Sequence, residues 1–322
     1  MIETTSWIPC DDGARLFIRR WSPGSGTPKA LVHAVHGMTE HSARYRFLAE
    51  KLCGAGIELW AADMRGHGKT ADPAVNDPAR GGLLGHTADR DGFFRVVADI
   101  GIINRHIAAS TGETYGKLPL FLMGHSWGSF LAQGYIESPD ASTVLRGCIL
   151  SGTRGPGSGS IALGVPLLAL LALLRGKRRD SAAARVLSVG LYNRTFKPNR
   201  TPFDWLSRDE KAVDEFMADP LCGRPCSSGF YRDMIRGLAA IHRKKAIARI
   251  NRALKVYIFC GSADPAGEMG LSPARLVKAY RGAGIEDLEF VLYPEARHEP
   301  LHEINREEVV DALLNWLERC LP

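Results

Sequence analysis

The stretch GHSWGS, residues 124–129, sets one serine midway between two glycines directly after the apolar run LPLFLM. Glycine loses more backbone freedom on folding than any other residue, so two at fixed offsets imply a turn that a Cβ would obstruct. Between a strand and a helix, Gly-x-Ser-x-Gly is a nucleophile elbow, with Ser126 thrust out and Gly124 and Gly128 relieving the crowded backbone. The plain alternative is an ordinary helix with Ser126 as its cap. A serine hydroxyl attacks poorly at neutral pH until a base takes its proton, so the choice rests on partners elsewhere in the chain.

Where such an elbow operates, the chain order is serine, acid, histidine, with each partner after a later strand. Three histidines follow Ser126: His242, His298 and His302. His242 begins the basic run HRKK after no strand, and His302 leads into the last helix, where a surface or capping role fits. His298 closes the strand-like segment LEFVLYPEARH and is the expected base. The acid must follow the strand KVYIFC, where Asp264 stands in GSADPAG. It could be a mere turn former, but strand order favours a carboxylate that fixes the imidazole tautomer. Asp287 precedes its strand, and Glu295 is too near His298 in sequence to approach it from a neighbouring strand. Acyl transfer also needs two backbone N–H donors aimed at the oxyanion. Trp127, directly after the nucleophile, would supply one. Met38, after the strand ALVHAVHG, would supply the other, chosen by position and not by residue type.

These residues need elements to hold them. Strand patterns at 30–37, 57–63, 118–124, 147–153, 255–264 and 288–298 alternate with helical patterns at 44–56, 89–109, the stretch after Ser126 to about Glu137, the region near PARLVKAYRG, and the C-terminal NREEVVDALLNWLERC. Such alternation predicts an α/β fold, a mostly parallel central sheet covered by helices on both faces. It breaks off after Thr153 and resumes near residue 241. A loop of that length inside a compact domain is improbable, so an inserted helical cap is expected. The expected organisation is core at 1–153, cap at 154–240, and core again at 241–322.

Together VHGMTEHSARY (35–45), ADMRGHG (62–68), GHSWGS, CGSADP and EARHE resemble the monoacylglycerol lipase and lysophospholipase-like branch of the α/β-hydrolases. The likeness covers nearly the whole chain outside the insertion. It implies a Ser126, Asp264 and His298 triad, Met38 and Trp127 as oxyanion donors, and a cap over the site. Two positions depart from the family pattern. Thr39 stands where relatives commonly carry glycine, and Trp127-Gly-Ser129 replaces a frequent Met-Gly. The bulk of Trp127 is expected to narrow the acyl pocket. Glu40 and His41 read either as a local ion pair steadying the oxyanion loop or as exposed residues. Asp63, Arg65 and His67 read as loop pins, and His36 as a packed core histidine.

Bulk properties fit this picture. The 322 residues carry 45% hydrophobic and 24% charged side chains and a formal net charge of +6, only mildly basic and without a nucleic-acid motif, so nucleic acid is an unsuited partner. Seven scattered cysteines, with C-x₃-C at Cys222 and Cys226 lacking a second pair, point to a reduced, cytoplasmic setting and away from structural zinc. The N-terminus reads as no signal peptide, and the run IALGVPLLALLALL (161–174) is short for a membrane span and holds Pro166. Followed by RGKRR (175–179), that run has two readings: a segment seated peripherally in a lipid interface, or a cap helix on the core with a solvated basic end. An apolar cap over a serine favours an acyl-chain ester, each buried methylene adding about 0.8 kcal/mol. The expectation is therefore a carboxylic ester hydrolase for monoacylglycerol or a similar single-chain lipid, without metal or organic cofactor. Short-chain esterase or acyltransferase chemistry with the same triad remains open. A non-catalytic binding protein fits less well with three intact triad members, and a peptidase less well with an apolar cap.

Overall fold

The computed structural model describes residues 1–157, 166, 168–169, 172–174, 176–180 and 190–322. Eight strands form one sheet in the order β1-β2-β4-β3-β5-β6-β7-β8: β1 Ile2–Pro9, β2 Arg15–Ser22, β3 Ala30–Val35, β4 Ile57–Asp63, β5 Leu120–His125, β6 Leu145–Ser151, β7 Lys255–Gly261 and β8 Leu288–Tyr293. The hairpin β1–β2 is antiparallel, as is β2 against β4, and every later pairing is parallel. β3, β4 and β5 are buried along their whole length, as expected of central strands covered on both faces.

The main covering helices are α1 Arg46–Gly54, α2 Gly92–Tyr115, α3 Trp127–Ile136, α4 Glu210–Ala218, α5 Ser228–Ile241, α6 Leu271–Gly282 and α7 Arg306–Cys320. Two apolar cores result, one on each side of the sheet. Leu48 and Leu52 of α1 join Val309, Leu313 and Leu317 of α7 on one face. Ile100 of α2, Leu131 of α3, Leu238 of α5 and Leu276 of α6 fill the other. Alternate residues of β3 feed each core, Leu31 and Val35 one, Val32 and Ala34 the other, which is the two-residue period of a strand at work.

Between β6 and β7 the described residues add no strand to the sheet. Helix α4 is capped by Asp209, whose carboxylate accepts from the Lys211 and Ala212 amides. Helix α2 runs on to Tyr115, past the expected end at 109. β8 stops at Tyr293, so the four residues before His298 are loop. Most of the apolar run 161–174 lies outside the described residues.

Candidate active site

The elbow begins where β5 ends. Ser126 has φ +52°, ψ −120°, a backbone conformation costly for any residue with a Cβ and found mainly where surrounding structure enforces it. Its amide donates to the Ser151 carbonyl at 2.9 Å, and its own carbonyl receives the Ser129 amide at 2.9 Å as α3 begins. The flanking glycines are required by close approach. A Cβ on Gly124 would strike the Gly128 carbonyl, and one on Gly128 would strike the carbonyls of Val35 and His36.

Parallel strands deliver the other two groups to the same edge of the sheet. Asp264 follows β7 and His298 follows β8; both are buried. His298 Nε2 lies 2.7 Å from Ser126 Oγ, and Nδ1 lies 3.0 Å from both Asp264 oxygens. A carboxylate facing Nδ1 holds the proton there, leaving Nε2 to accept from the serine hydroxyl. Asp264 Oδ1 also accepts the Ala266 amide at 2.8 Å, and its carbonyl accepts that of Met269 at 2.8 Å. Burial pulls the His298 pKa down, but the charge of Asp264 and its hydrogen bond, with Glu299 and Glu40 beyond, outweigh this and leave it above the ordinary 6.5. His125, 5.2 Å from the His298 ring between centroids, is held neutral by burial and by His298, its pKa lowered to about 4.

β3 neighbours β5, so the loop after Val35 falls beside the elbow. Met38 lines the cavity with Ser126. Neither the Met38 nor the Trp127 amide donates to another part of the chain among the described residues, which matters because orphan backbone donors are rare. Thr39 has φ +58°, a left-handed conformation natural to glycine and strained for a β-branched residue. His36 is a buried core histidine, and it also braces the loop: Nε2 accepts the Met64 amide at 2.9 Å, so Nδ1 carries the proton and donates to the Gly37 carbonyl at 2.7 Å. Asp63 pins its loop by accepting the Ser42 amide at 2.8 Å and the Lys69 amide at 2.7 Å. Arg65, fully buried, pairs with Asp99 and Asp12. His67 Nδ1 contacts the Arg65 carbonyl at 3.0 Å.

Two expectations fail. The Trp127 side chain does not narrow the pocket: it is buried, stacked on His67 at 5.0 Å and packed on Phe230 at 5.1 Å, away from the cavity wall. Glu40 and His41 do not pair with each other. Glu40 is buried, accepts the Gly37 amide at 2.5 Å and meets Arg44 at 2.8 Å. Arg44 in turn clasps Glu299 through two 2.8 Å bonds. The loop after β3 and the residue after His298 are thereby tied to one guanidinium. His41 Nε2 instead meets Asp219 at 2.9 Å.

A further contact set was not readable from sequence. Residues 203–208 lie over the loop that carries His298. The Glu299 amide donates to the Leu206 carbonyl at 2.8 Å, and the His298 amide to that of Trp205 at 3.4 Å. Arg297 donates to the carbonyls of Asp204 and Ser207 at 2.5 and 3.0 Å, and Arg208 meets Glu303 at 2.9 Å. The Trp205 indole sits 4.8 Å from the His298 ring. Trp205, Phe203, Leu206 and Phe216 form much of the apolar wall of a cavity of about 550 Å³ that opens onto Ser126.

For a metal, among the described residues one group has suitable ligands: His41, Asp219 and Cys222 bring one atom each within 4.8 Å of one another. Both His41 nitrogens are already hydrogen-bonded, to Asp219 and to the Ala43 amide. All seven cysteines are free and buried. No described helix is long and apolar enough to cross a membrane.

The family model for serine aminopeptidase, S33, matches residues 26–305. The chain belongs to this family. The human monoglyceride lipase is 30% identical over 317 residues, covering 91% of this chain and 86% of that one. The Mycolicibacterium smegmatis monoacylglycerol lipase is 25% identical over 95% of this chain and 93% of its own. Among solved structures, a thermostable carboxyl esterase from Bacillus coagulans, in complex with glycerol, superposes with a TM-score of 0.88 over both whole chains at 24% identity. This family member therefore has the α/β-hydrolase fold and is a carboxylic ester hydrolase, as its sequence led one to expect.

Proposed function

We propose that this chain hydrolyses monoacylglycerol or a similar single-chain ester through Ser126, His298 and Asp264. The observation that carries the reading is the continuous relay from Asp264 through both nitrogens of His298 to Ser126 Oγ, opening on an aromatic cavity. His298 Nε2 takes the Ser126 proton as Oγ attacks the ester carbonyl carbon. The free amides of Met38 and Trp127 receive the oxyanion. The tetrahedral species collapses as the imidazolium gives its proton to the departing alcohol, leaving Ser126 acylated. Water, deprotonated by His298, then releases the carboxylic acid and restores the serine. No metal or organic cofactor enters these steps.

In this reading residues 154–240 form the cap, with α5 seated on the core helices and residues 203–224 walling the acyl site. Peripheral membrane contact through 161–179 is part of the proposal. It is supported by Leu173 and Leu174, 80% and 72% exposed, beside the exposed Lys177, Arg178 and Arg179, a pairing of apolar and cationic surface suited to an anionic lipid interface in the cytoplasm.

The test is turnover of p-nitrophenyl esters of increasing chain length, with monoacylglycerol alongside, by the wild type and Ser126→Ala. Activity peaking at medium or long chains and abolished in the variant is expected. Activity confined to acetate and butyrate would reduce the protein to a short-chain esterase, and undiminished turnover by Ser126→Ala would refute the mechanism. Added glycerol, with product analysis, would expose acyl transfer if ester formation outran hydrolysis.

A further inference from the structure

We propose that the cavity above Ser126 selects single-chain esters with an anionic head group, and that Arg194 and Arg224 bind that charge. The inference rests on the hydrolytic reading and supplies its missing head-group chemistry. Charge is spread unevenly along this chain. Residues 154–203 hold nine Lys and Arg against one acid, Asp180, a larger surplus than the +6 of the whole protein. The cationic excess therefore resides in the segment that reaches the cavity, and the remainder of the chain is slightly acidic.

Most arginines around the site are occupied. Arg44 is held by Glu40 and Glu299, Arg200 by Asp214, Arg208 by Glu303, and Arg275 by Glu268. Arg194 and Arg224 differ. Both line the cavity with Ser126 and both are exposed. Neither has a carboxylate partner among the described residues, and the residues outside that set include no Asp or Glu. The two acids in the cavity wall, Glu40 and Glu299, are those already clasped by Arg44, so they leave the mouth cationic.

Both arginines are anchored to elements that hold reacting groups. The Gly223 amide donates to the Thr39 carbonyl at 2.9 Å, which fixes Arg224 beside the loop carrying Met38. Arg224 Nε donates to the Pro220 carbonyl at 2.8 Å, leaving the guanidinium amino groups for a ligand. Arg194 lies in the short turn Tyr192–Phe196. Its neighbour Asn193 accepts the Trp205 amide at 2.9 Å and donates to the Thr201 carbonyl at 2.7 Å, and Trp205 covers His298. An acyl chain along Phe203, Leu206 and Phe216 would thus have its head group among guanidinium groups that no carboxylate neutralises, donors matched to phosphate or carboxylate oxygens.

The experiment compares 1-octanoylglycerol with 1-octanoylglycerol 3-phosphate, both kept monomeric so that no interface is present. Wild-type kcat/KM should favour the phosphate ester by about tenfold at low ionic strength, the preference shrinking in about 0.5 M NaCl as screening shortens the reach of the charges. Arg194→Gln and Arg224→Gln should each lower the phosphate-to-neutral ratio about threefold or more, chiefly through KM. Lys278→Gln, on the distant α6, should leave the ratio unchanged. A ratio at or below one, or one that neither arginine variant moves, would overturn the proposal while Ser126-dependent turnover of the neutral ester left the hydrolytic reading standing. A preference seen only on vesicles containing phosphatidylglycerol would assign the charge selection to a membrane surface and would also overturn it. Turnover of neither ester would instead defeat the hydrolytic reading.

Discussion

Adding one methyl group at Gly128 tests whether the elbow's geometry is what makes Ser126 reactive. A Cβ there would lie 2.5 Å from the His36 carbonyl oxygen and closer still to that of Val35, whereas ordinary contacts begin near 3.4 Å. Both obstacles are backbone of β3 and the loop after it, which no side-chain rotation can clear. The start of α3 must therefore shift outward by about 1 Å, and a displacement of that size at a reacting centre costs about 10²-fold in rate. Packing strain adds about 1–3 kcal/mol of lost stability. The assay pairs ester kcat/KM with the rate of covalent labelling by a fluorophosphonate and with urea unfolding. Gly128→Ala should lose activity and labelling in parallel while remaining folded. Gly134→Ala, in the same helix, is the control: its new methyl meets only side chains, the nearest being Val97 Cγ2 at 3.1 Å, and should leave activity near that of the wild type. If Gly128→Ala turned over within about threefold of wild type, the account of the bracketing glycines would be wrong.

The acid and base predict a pH dependence. Because the His298 pKa is above 6.5 and the neutral imidazole is the proposed base, kcat/KM should rise through an apparent pKa above 6.5 and flatten at higher pH. Asp264→Asn leaves burial unopposed by that charge, so the limb should move to lower pH while the plateau falls about 10³–10⁴-fold; an unmoved limb in the pH profile would show that Asp264 does not set the base. Arg297→Met removes the bonds to the Asp204 and Ser207 carbonyls. It should lower kcat about tenfold with little change in KM and slow fluorophosphonate labelling, as expected if residues 203–208 hold the base loop in place. Thr39→Gly relieves a β-branched residue at φ +58° and should raise stability to urea by about 1 kcal/mol, read as a higher midpoint at constant slope. All seven thiols are buried, with burial foremost in pushing Cys10 and Cys260 up to about 12. Ellman's reagent should find fewer than one reactive thiol per chain before denaturant is added, and dithiothreitol should not alter activity.

Much of this protein was legible along the chain because the information is local. Glycines at fixed offsets from Ser126, apolar runs of strand length and the order serine, acid, histidine depend on neighbouring residues and on the rule that parallel strands end on one edge of a sheet. Those features determined the fold class and brought Ser126, Asp264 and His298 forward as the candidate site. What tertiary structure alone decided concerns directions and long-range partners. Trp127 follows the nucleophile in sequence, yet the helix start turns its ring toward His67 and Phe230, so adjacency misread its place. Glu40 looked toward its neighbour His41 but is neutralised by Arg44, which also holds Glu299, 255 residues away from it in sequence. The contacts of 203–208 with Arg297 and Glu299 use main-chain carbonyls, which carry no residue-specific signature at all. Side-chain direction and backbone hydrogen bonding between distant segments are settled only when the sheet closes and the helices pack, and they decide how the reacting groups are held.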